Sequence, residues 1–368
     1  MPLPIFRRLP PLFLLLACLG GALPVAHGAP PVPLPALNID LKETSVSGLS
    51  SGAFMAVQFQ VAYSSIVKGA GIVAGGPFYC SQGDAMRATT QCSCTLDPDH
   101  KMCTVSSTSA DVPTLLRDTR QYASKDLVDA PAGLDGQRVL ILSGGKDQTV
   151  PTPVAAQLSD YYGQLGVPPA NISNVRLAKA GHTMPTVGYG TDCSVSESPF
   201  IGKCQYDAAQ AILSWIYGTL KPAAAKPAGK LVEFDQTPYQ PKNGGSWSSG
   251  LDSSGWAYIP QSCAKGAACR VHVALHGCMQ GQSFLPLKPV PGGGLYYGTT
   301  FVRNAGYNAW ADSNNIVVLY PQAVSMPYKN PNGCWDWWGY TDANYSTKQG
   351  VQLAAVRAMV DRLASGKR

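Results

Sequence analysis

The chain has 368 residues, of which 14% are charged and 45% hydrophobic, with 38 glycines, 30 prolines and a formal net charge of +6. That length buries a sizeable core, as one large domain or two smaller ones, and so low a charged fraction beside so much glycine and proline suits a loop-rich exported protein. The basic residues are scattered, with no Lys/Arg run interleaved with aromatics, which excludes nucleic acid as a partner.

Residues 1–28 have the pattern of a signal peptide. Arg7 and Arg8 form the positive start, residues 12–19 the short apolar stretch, and Ala26-His27-Gly28 a small-residue cleavage site. The apolar run is too short for a transmembrane helix, and no later stretch qualifies. Leu15-Leu16-Ala17-Cys18 offers a lipoprotein cleavage box as the alternative. Of 11 cysteines, removing Cys18 with the leader leaves ten. An even number in an exported chain implies disulfides throughout. Close spacing pairs Cys193 with Cys204 and Cys263 with Cys269, and Cys278 and Cys334 then pair over a longer distance. Cys80, Cys92, Cys94 and Cys103 share two further bridges whose pairing stays open. Cys92, Cys94, His100 and Cys103 also resemble a metal site, but an oxidising compartment favours disulfides, and no metal is expected.

Residues 30–37 are rich in proline and alanine and are expected to be flexible. An extended stretch at 43–47 leads into the turn Gly48-Leu49-Ser50-Ser51-Gly52 and a helix over 53–62. Residues 69–76 form a buried strand running into a loop, and 80–105 a cysteine-rich excursion. Then come a helix at 112–122, a fully apolar strand at 138–145, a helix at 153–165, a strand at 174–178 and a helix at 208–217. A Pro/Ala/Lys linker occupies 221–230. Beyond it, strands are expected at 231–234, 256–260, 270–275 and 315–321, a helix end at 307–312, and an amphipathic helix at 351–363. Strands alternating with helices imply a mostly parallel sheet, hence an α/β fold.

The turn at 48–52 resembles the G-x-S-x-G nucleophile elbow of α/β-hydrolases, where flanking glycines allow a tight, strained turn with the serine at its apex. In a chain with 38 glycines the pattern alone is weak. An elbow serine needs a base, and the base needs an orienting acid. His182 lies on the loop after a strand, where such folds carry the base, although a lone loop histidine is more often merely solvated. Asp147 follows the strand before that one and is the candidate acid, with an N-cap as its blander role. The order Ser50, Asp147, His182, each at a strand-to-loop junction, is far more specific than any member. Of the other histidines, His272 sits within an apolar strand as a structural residue.

An oxyanion hole completes the chemistry. One donor comes with the elbow, the backbone N–H of Ser51. The other in such folds comes from a His-Gly loop ahead of the serine, whereas Val273-Ala274-Leu275-His276-Gly277-Cys278 lies far downstream of it. Circular permutation accounts for this. The terminal helix has no following strand and the elbow strand no preceding helix, and joining the chain's end to Asn38 repairs both. The 221–230 linker then marks the splice of the original termini.

Together Gly48-Leu49-Ser50-Ser51-Gly52-Ala53, Gly145-Lys146-Asp147, Gly181-His182-Thr183-Met184-Pro185, Leu275-His276-Gly277-Cys278 and Asn332-Gly333-Cys334-Trp335-Asp336-Trp337-Trp338 resemble the polyhydroxybutyrate depolymerases whose catalytic domain is circularly permuted. The resemblance covers essentially the whole mature chain. It implies a permuted α/β-hydrolase fold over 29–368, with helices on both faces of the sheet and disulfide support. It also implies Ser50, Asp147 and His182 as the triad, and the N–H groups of Ser51 and Cys278 as the oxyanion hole. The substrate is then poly(3-hydroxybutyrate) or a related short-chain polyester, cleaved through an acyl-serine that calls for no cofactor. Many such enzymes carry a separate polymer-binding domain; none follows here, so poor adsorption to crystalline polymer is expected.

Trp335, Trp337 and Trp338 form an uncommon cluster, either core packing or substrate-binding. In the second case a Cys278–Cys334 bridge holds Trp335 beside the oxyanion loop, lining the cleft. Tyr296, Tyr297 and Trp310 are weaker candidates beside Gly292-Gly293-Gly294, expected to be a mobile loop. The rival functions are a feruloyl or acetyl-xylan esterase with the same triad, and a non-catalytic polymer- or glycan-binding protein. A secreted monomer is expected, with periplasmic retention as the alternative.

Overall fold

Thr44–Leu49 forms β1, and none of its six residues reaches solvent, although Ser45 and Ser47 are polar. In the computed structural model, which describes residues 30–288, 290 and 294–367, those hydroxyls are satisfied internally. Ser45 Oγ lies 2.6 Å from His272 Nδ1 and Ser47 Oγ 2.7 Å from His272 Nε2, so this strand histidine is structural, as expected.

After β1 come α1 (Ser51–Ala62), β2 (Val67–Val73), α2 (Ala85–Thr90), α3 (Val112–Ser124), β3 (Arg138–Gly144), α4 (Thr152–Gln164) and β4 (Ile172–Leu177). Three short strands follow, β5 (Met184–Thr186), β6 (Thr191–Asp192) and β7 (Ile201–Lys203), which make a small sheet of their own. Their brevity left no periodic signal. The chain continues through α5 (Ala208–Tyr217), β8 (Lys230–Asp235), α6 (Gly245–Ser249), β9 (Ser254–Ile259), α7 (Gln261–Ala264) and β10 (Arg270–Leu275). It closes with α8 (Thr300–Asn304), α9 (Tyr307–Ser313), β11 (Ile316–Tyr320) and α10 (Val351–Ala364).

The main sheet has eight strands in the order β4-β3-β2-β1-β10-β11-β9-β8. Pairing is parallel from β4 through β11, while β9 runs antiparallel to both β11 and β8. Read from β1, the chain fills one side of the sheet and then jumps to the far edge. Read from β8, it walks across nearly in sequence, with one exchange of β10 and β11. The permutation is visible at the join as well. Leu37 N–H donates to the Leu363 carbonyl at 2.7 Å, so the end of α10 touches the segment that enters β1. A β11–α10–β1 crossover is thereby completed across chain ends.

One face of the sheet carries α5 and α9. Asp207 caps α5 by accepting from Gln210 N–H at 2.9 Å and also accepts from Trp310 Nε1 of α9 at 2.8 Å. On the other face α1 is buried on every side, between the sheet, α10 and the loops beyond β11, so it has no solvent-facing polar side, and its Gln58 and Gln60 donate to Asp336 O and Gln137 Oε1.

Residues 30–37 differ from expectation, and the 221–230 stretch is held against a helix. Residues 30–37 are pinned, with Val32 N–H on the Glu233 carbonyl at 3.1 Å and Leu34 in the core, because β8 leaves an edge for Val32 to pair with. The stretch 221–230 runs along α9: Asn314 Oδ1 accepts from Lys221 N–H, and Asp312 accepts from the N–H groups of Ala228 and Gly229. The cysteines are joined as Cys193–Cys204, Cys263–Cys269, Cys278–Cys334, Cys80–Cys92 and Cys94–Cys103. The leader, and Gly292 and Gly293 of the expected mobile loop, lie outside the described residues. No helix among the described residues is long and apolar enough to cross a membrane.

Candidate active site

The turn after β1 puts Ser50 at φ 57°, ψ −124°, a conformation that only a strongly determined site holds in a non-glycine residue. Glycines make it possible. A Cβ on Gly48 would lie 2.2 Å from the backbone of Gly52, and one on Gly52 would lie 2.3 Å from the His276 carbonyl oxygen. The elbow therefore folds against itself on one side and against the end of β10 on the other.

Asp147 and His182 are brought together because the loops after β3 and β4 lie on each other. Gly145 N–H donates to Leu177 O and Lys146 N–H to Ala180 O, both at 2.8 Å. His182 Nδ1 then sits 2.8 Å from Asp147 Oδ2, with both side chains buried. Asp147 Oδ1 accepts from the N–H groups of Thr149 and Val150, each at 2.8 Å. A carboxylate so engaged accepts from Nδ1–H of the imidazole, which leaves Nε2 free for proton transfer. His182 N–H donates to Ser196 Oγ at 2.7 Å, which fixes the loop.

Ser50 and His182 line the same cleft, of about 730 Å³, together with Gly277 and Cys278. Ser51 opens α1, so its N–H has no acceptor within the helix. Cys278 is tied through its disulfide to Cys334, which also lines the cleft. The site thus draws on both halves of the chain. A hydroxyl, a buried imidazole–carboxylate pair and the N-terminus of a helix around one cleft are groups that acyl transfer can use.

The tryptophans divide. Trp335 does not line the cleft: it is wholly buried, its ring 5.5 Å from that of His276 and its backbone N–H on Ser51 Oγ at 3.3 Å. Cys334 takes the cleft-facing place, and in an extended segment the next side chain points the other way, here into the core. Trp337 and Trp338 do line it. Trp337 stacks on Phe54 with centroids 4.0 Å apart and planes at 11°, and Trp338 meets it edge-on at 5.8 Å. Asp336 shapes this wall. Its carboxylate accepts from the N–H groups of Trp338, Gly339, Tyr340 and Thr341 and from Thr341 Oγ1. Burial pushes that carboxyl upward, and these donors offset part of the rise.

Tyr297 is buried with its hydroxyl on Pro199 O, Tyr296 is exposed, and Trp310 belongs to the α5–α9 contact. A further part of the cleft wall has no counterpart among the sequence expectations. The 80–103 excursion supplies Ala88, Thr89, Leu96 and His100 to it. His100 hydrogen-bonds the Cys94 carbonyl through Nδ1 at 2.6 Å. The cysteines there signalled bridging, and nothing in their spacing signalled a cleft wall.

No family model matches the chain. Among known proteins, the poly(3-hydroxybutyrate) depolymerase of Delftia acidovorans is 43% identical over 342 residues, covering 91% of this chain and 62% of that protein. The chain therefore spans about three-fifths of the Delftia protein. The polyhydroxybutyrate depolymerase of Talaromyces funiculosus is 37% identical over 362 residues, covering 94% of this chain and 95% of that one. Among solved structures, the PHB depolymerase from Penicillium funiculosum superimposes with a TM-score of 0.79 at 35% identity, over 92% of this chain and 100% of that one. A serine-to-alanine PHB depolymerase complexed with an R3HB trimer gives 0.78 at 35% identity, over 92% and 100%.

Proposed function

The chain belongs to the polyhydroxybutyrate depolymerase family, and on that premise we propose that it hydrolyses poly(3-hydroxybutyrate) through an acyl-serine on Ser50. The observation that carries this is the buried His182–Asp147 pair at 2.8 Å, in one cleft with an elbow serine. Ser50 Oγ attacks the ester carbonyl as His182 Nε2 takes its proton, and Asp147 stabilises the imidazolium. The N–H groups of Ser51 and Cys278 receive the oxyanion, each such donor contributing on the order of 3 kcal/mol. The intermediate collapses, His182 gives its proton to the departing 3-hydroxyl, and the shortened chain leaves. Water, deprotonated by His182, then attacks the acyl carbon, the bond to Ser50 Oγ breaks as His182 returns the proton to that oxygen, and the acyl group leaves as a carboxylic acid that ionises in solution. Trp337 and Trp338 give the aliphatic chain an apolar wall.

We further propose that residues 1–28 are removed on export and that 29–368 act as one permuted catalytic domain, released from the cell as a monomer. The bridges support an oxidising destination. The test is product analysis on amorphous polyhydroxybutyrate granules. Soluble 3-hydroxybutyrate oligomers are expected from the wild type and none from a folded Ser50→Ala variant. Equal release by both contradicts the proposal, as does turnover confined to feruloylated or acetylated polysaccharide.

A further inference from the structure

Asp336 is buried, and every partner of its carboxylate is a donor from its own loop. Oδ1 accepts from the N–H groups of Trp338 at 3.2 Å, Gly339 at 2.7 Å and Tyr340 at 3.1 Å. Oδ2 accepts from Thr341 N–H at 2.8 Å and from Thr341 Oγ1 at 2.6 Å. Desolvating a carboxyl is costly, and an apolar side chain would fill the same space without that cost. What the carboxylate supplies instead is a fixed turn, in which four successive peptide N–H groups, 338–341, converge on one side chain. Gly339 makes the turn possible, with a φ of 88°.

The same segment is registered on the helix that opens beside the nucleophile. Phe54 and Gln58 stand four residues apart on α1 and so share a face. Phe54 stacks on Trp337, and Gln58 Nε2 donates to the Asp336 carbonyl at 3.0 Å. From α10, Gln352 Oε1 accepts from Asp336 N–H at 2.8 Å, while its Nε2 donates to Tyr340 Oη at 2.9 Å. Tyr340 in turn donates to Cys334 O at 2.8 Å, and its ring lies 4.9 Å from that of Trp338. Both ends of the turn are therefore fastened, and Trp337 and Trp338 stand between them.

We propose that Asp336 is a positioning residue for substrate binding, its carboxylate drawing 338–341 into a turn that holds Trp337 and Trp338 as one wall against the bound polyester chain. This rests on the part given to those two rings under the proposed function. Asp336 does not itself line the cleft, so it acts through the rings and not on the reacting atoms. Its effect then grows with how much of a substrate reaches the tryptophans: large for a chain of several units, small for an acetyl ester.

Two variants test it in the full chain. Asp336→Asn keeps one oxygen for the N–H groups of 338–340 and sets an amide NH2 against Thr341, whereas Thr341→Val removes only the hydroxyl donor. For Asp336→Asn, kcat/KM on the methyl ester of an (R)-3-hydroxybutyrate trimer is expected to fall at least about tenfold further than on p-nitrophenyl acetate, with the extra loss in KM. Thr341→Val is expected to show the same bias at about two- to fivefold. A double-mutant cycle separates positioning from stability. In a Trp337→Ala/Trp338→Ala chain, adding Asp336→Asn is expected to lower kcat/KM on the trimer by no more than about twofold further. Equal losses on the two esters, or an undiminished loss in the chain lacking both rings, overturns the proposal. If Asp336→Asn does not fold, Thr341→Val carries the test, and a Thr341→Val enzyme without the trimer bias overturns it. Labelling by a serine-directed phosphonate separates the failures. An unlabelled Ser50 removes the proposed function itself; a labelled, active enzyme whose variants show no trimer bias removes only this inference.

Discussion

The two halves of the chain contribute to one cleft in different ways. The first half supplies Ser50, Asp147 and His182, three side chains on the turns and loops after parallel strands, to which the proposed function gives separate chemical roles. The second half supplies the 276–281 turn and the 334–341 loop, where the proposed function draws on backbone N–H groups and packed rings instead. Side-chain chemistry restricts residue identity, whereas backbone chemistry restricts only conformation. A substitution in the first half should therefore remove a reacting group and spare the fold. One in the second half should act through the shape of the cleft, on stability and rate where the ring is core and on polymer affinity where it lines the cleft.

The largest effects test the first half. Ser50→Ala and His182→Ala should lower kcat on a soluble ester by on the order of 10⁵-fold or more. Asp147→Asn should lower it by on the order of 10⁴-fold, through loss of the tautomer rather than of a reacting group. Circular dichroism and the thermal midpoint of Ser50→Ala should match the wild type; a substantial midpoint shift would break the distinction between the halves.

Stability comes next and belongs to the second half. Trp335→Ala should cost about 3–5 kcal/mol by leaving a core cavity, measured by denaturant unfolding, and should depress polymer and short-ester turnover alike. Trp337→Ala should instead raise the apparent KM for polymer by on the order of tenfold, with little change on a short ester. Identical profiles for the two variants would show that Trp337 is only core. Gly52→Ala joins both regions, because its Cβ would strike the His276 carbonyl at 2.3 Å. It should cost about 2–4 kcal/mol and lower kcat, while unchanged stability would mean that the elbow does not rest on β10.

The most gradual effect is with pH. Burial holds His272 at about 3 and His276 at about 4, both below the ordinary 6.5. Both are neutral when folded, so unfolding takes up protons in acid. Their contribution is intact above pH 6.5. It falls as the pH drops toward about 4 for His276 and about 3 for His272, by about 1.4 kcal/mol per pH unit for each histidine. Calorimetry near pH 5 should register about one proton fewer taken up on unfolding for His276→Gln than for the wild type. An equal uptake would place His276 in contact with solvent.

What was legible in the sequence follows the same division. The alternation of apolar strands and helices is a periodic signal, and it located the main sheet, the elbow and the loops that carry Asp147 and His182. The permutation was legible because a terminal helix without a strand and a strand without a helix are topological deficits, and the Leu37–Leu363 contact closes both. Elements of two to five residues, such as β5–β7 and α6–α8, are held by tertiary contacts and leave no periodicity. The direction of Trp335 depends on which side of the chain Cys334 occupies, and composition carries no trace of that. The excursion wall was hidden for the same reason, since its cysteines announce bridging and not what the bridged loop covers.

Covalent trapping tests the central claim most directly. After reaction with an aliphatic p-nitrophenyl phosphonate, intact mass and peptide mapping should find one adduct per chain on the peptide holding Ser50. Hydrolysis of polyhydroxybutyrate should be lost in proportion. Inactivation with the adduct on another residue, or complete labelling of Ser50 with polymer hydrolysis retained, would contradict it.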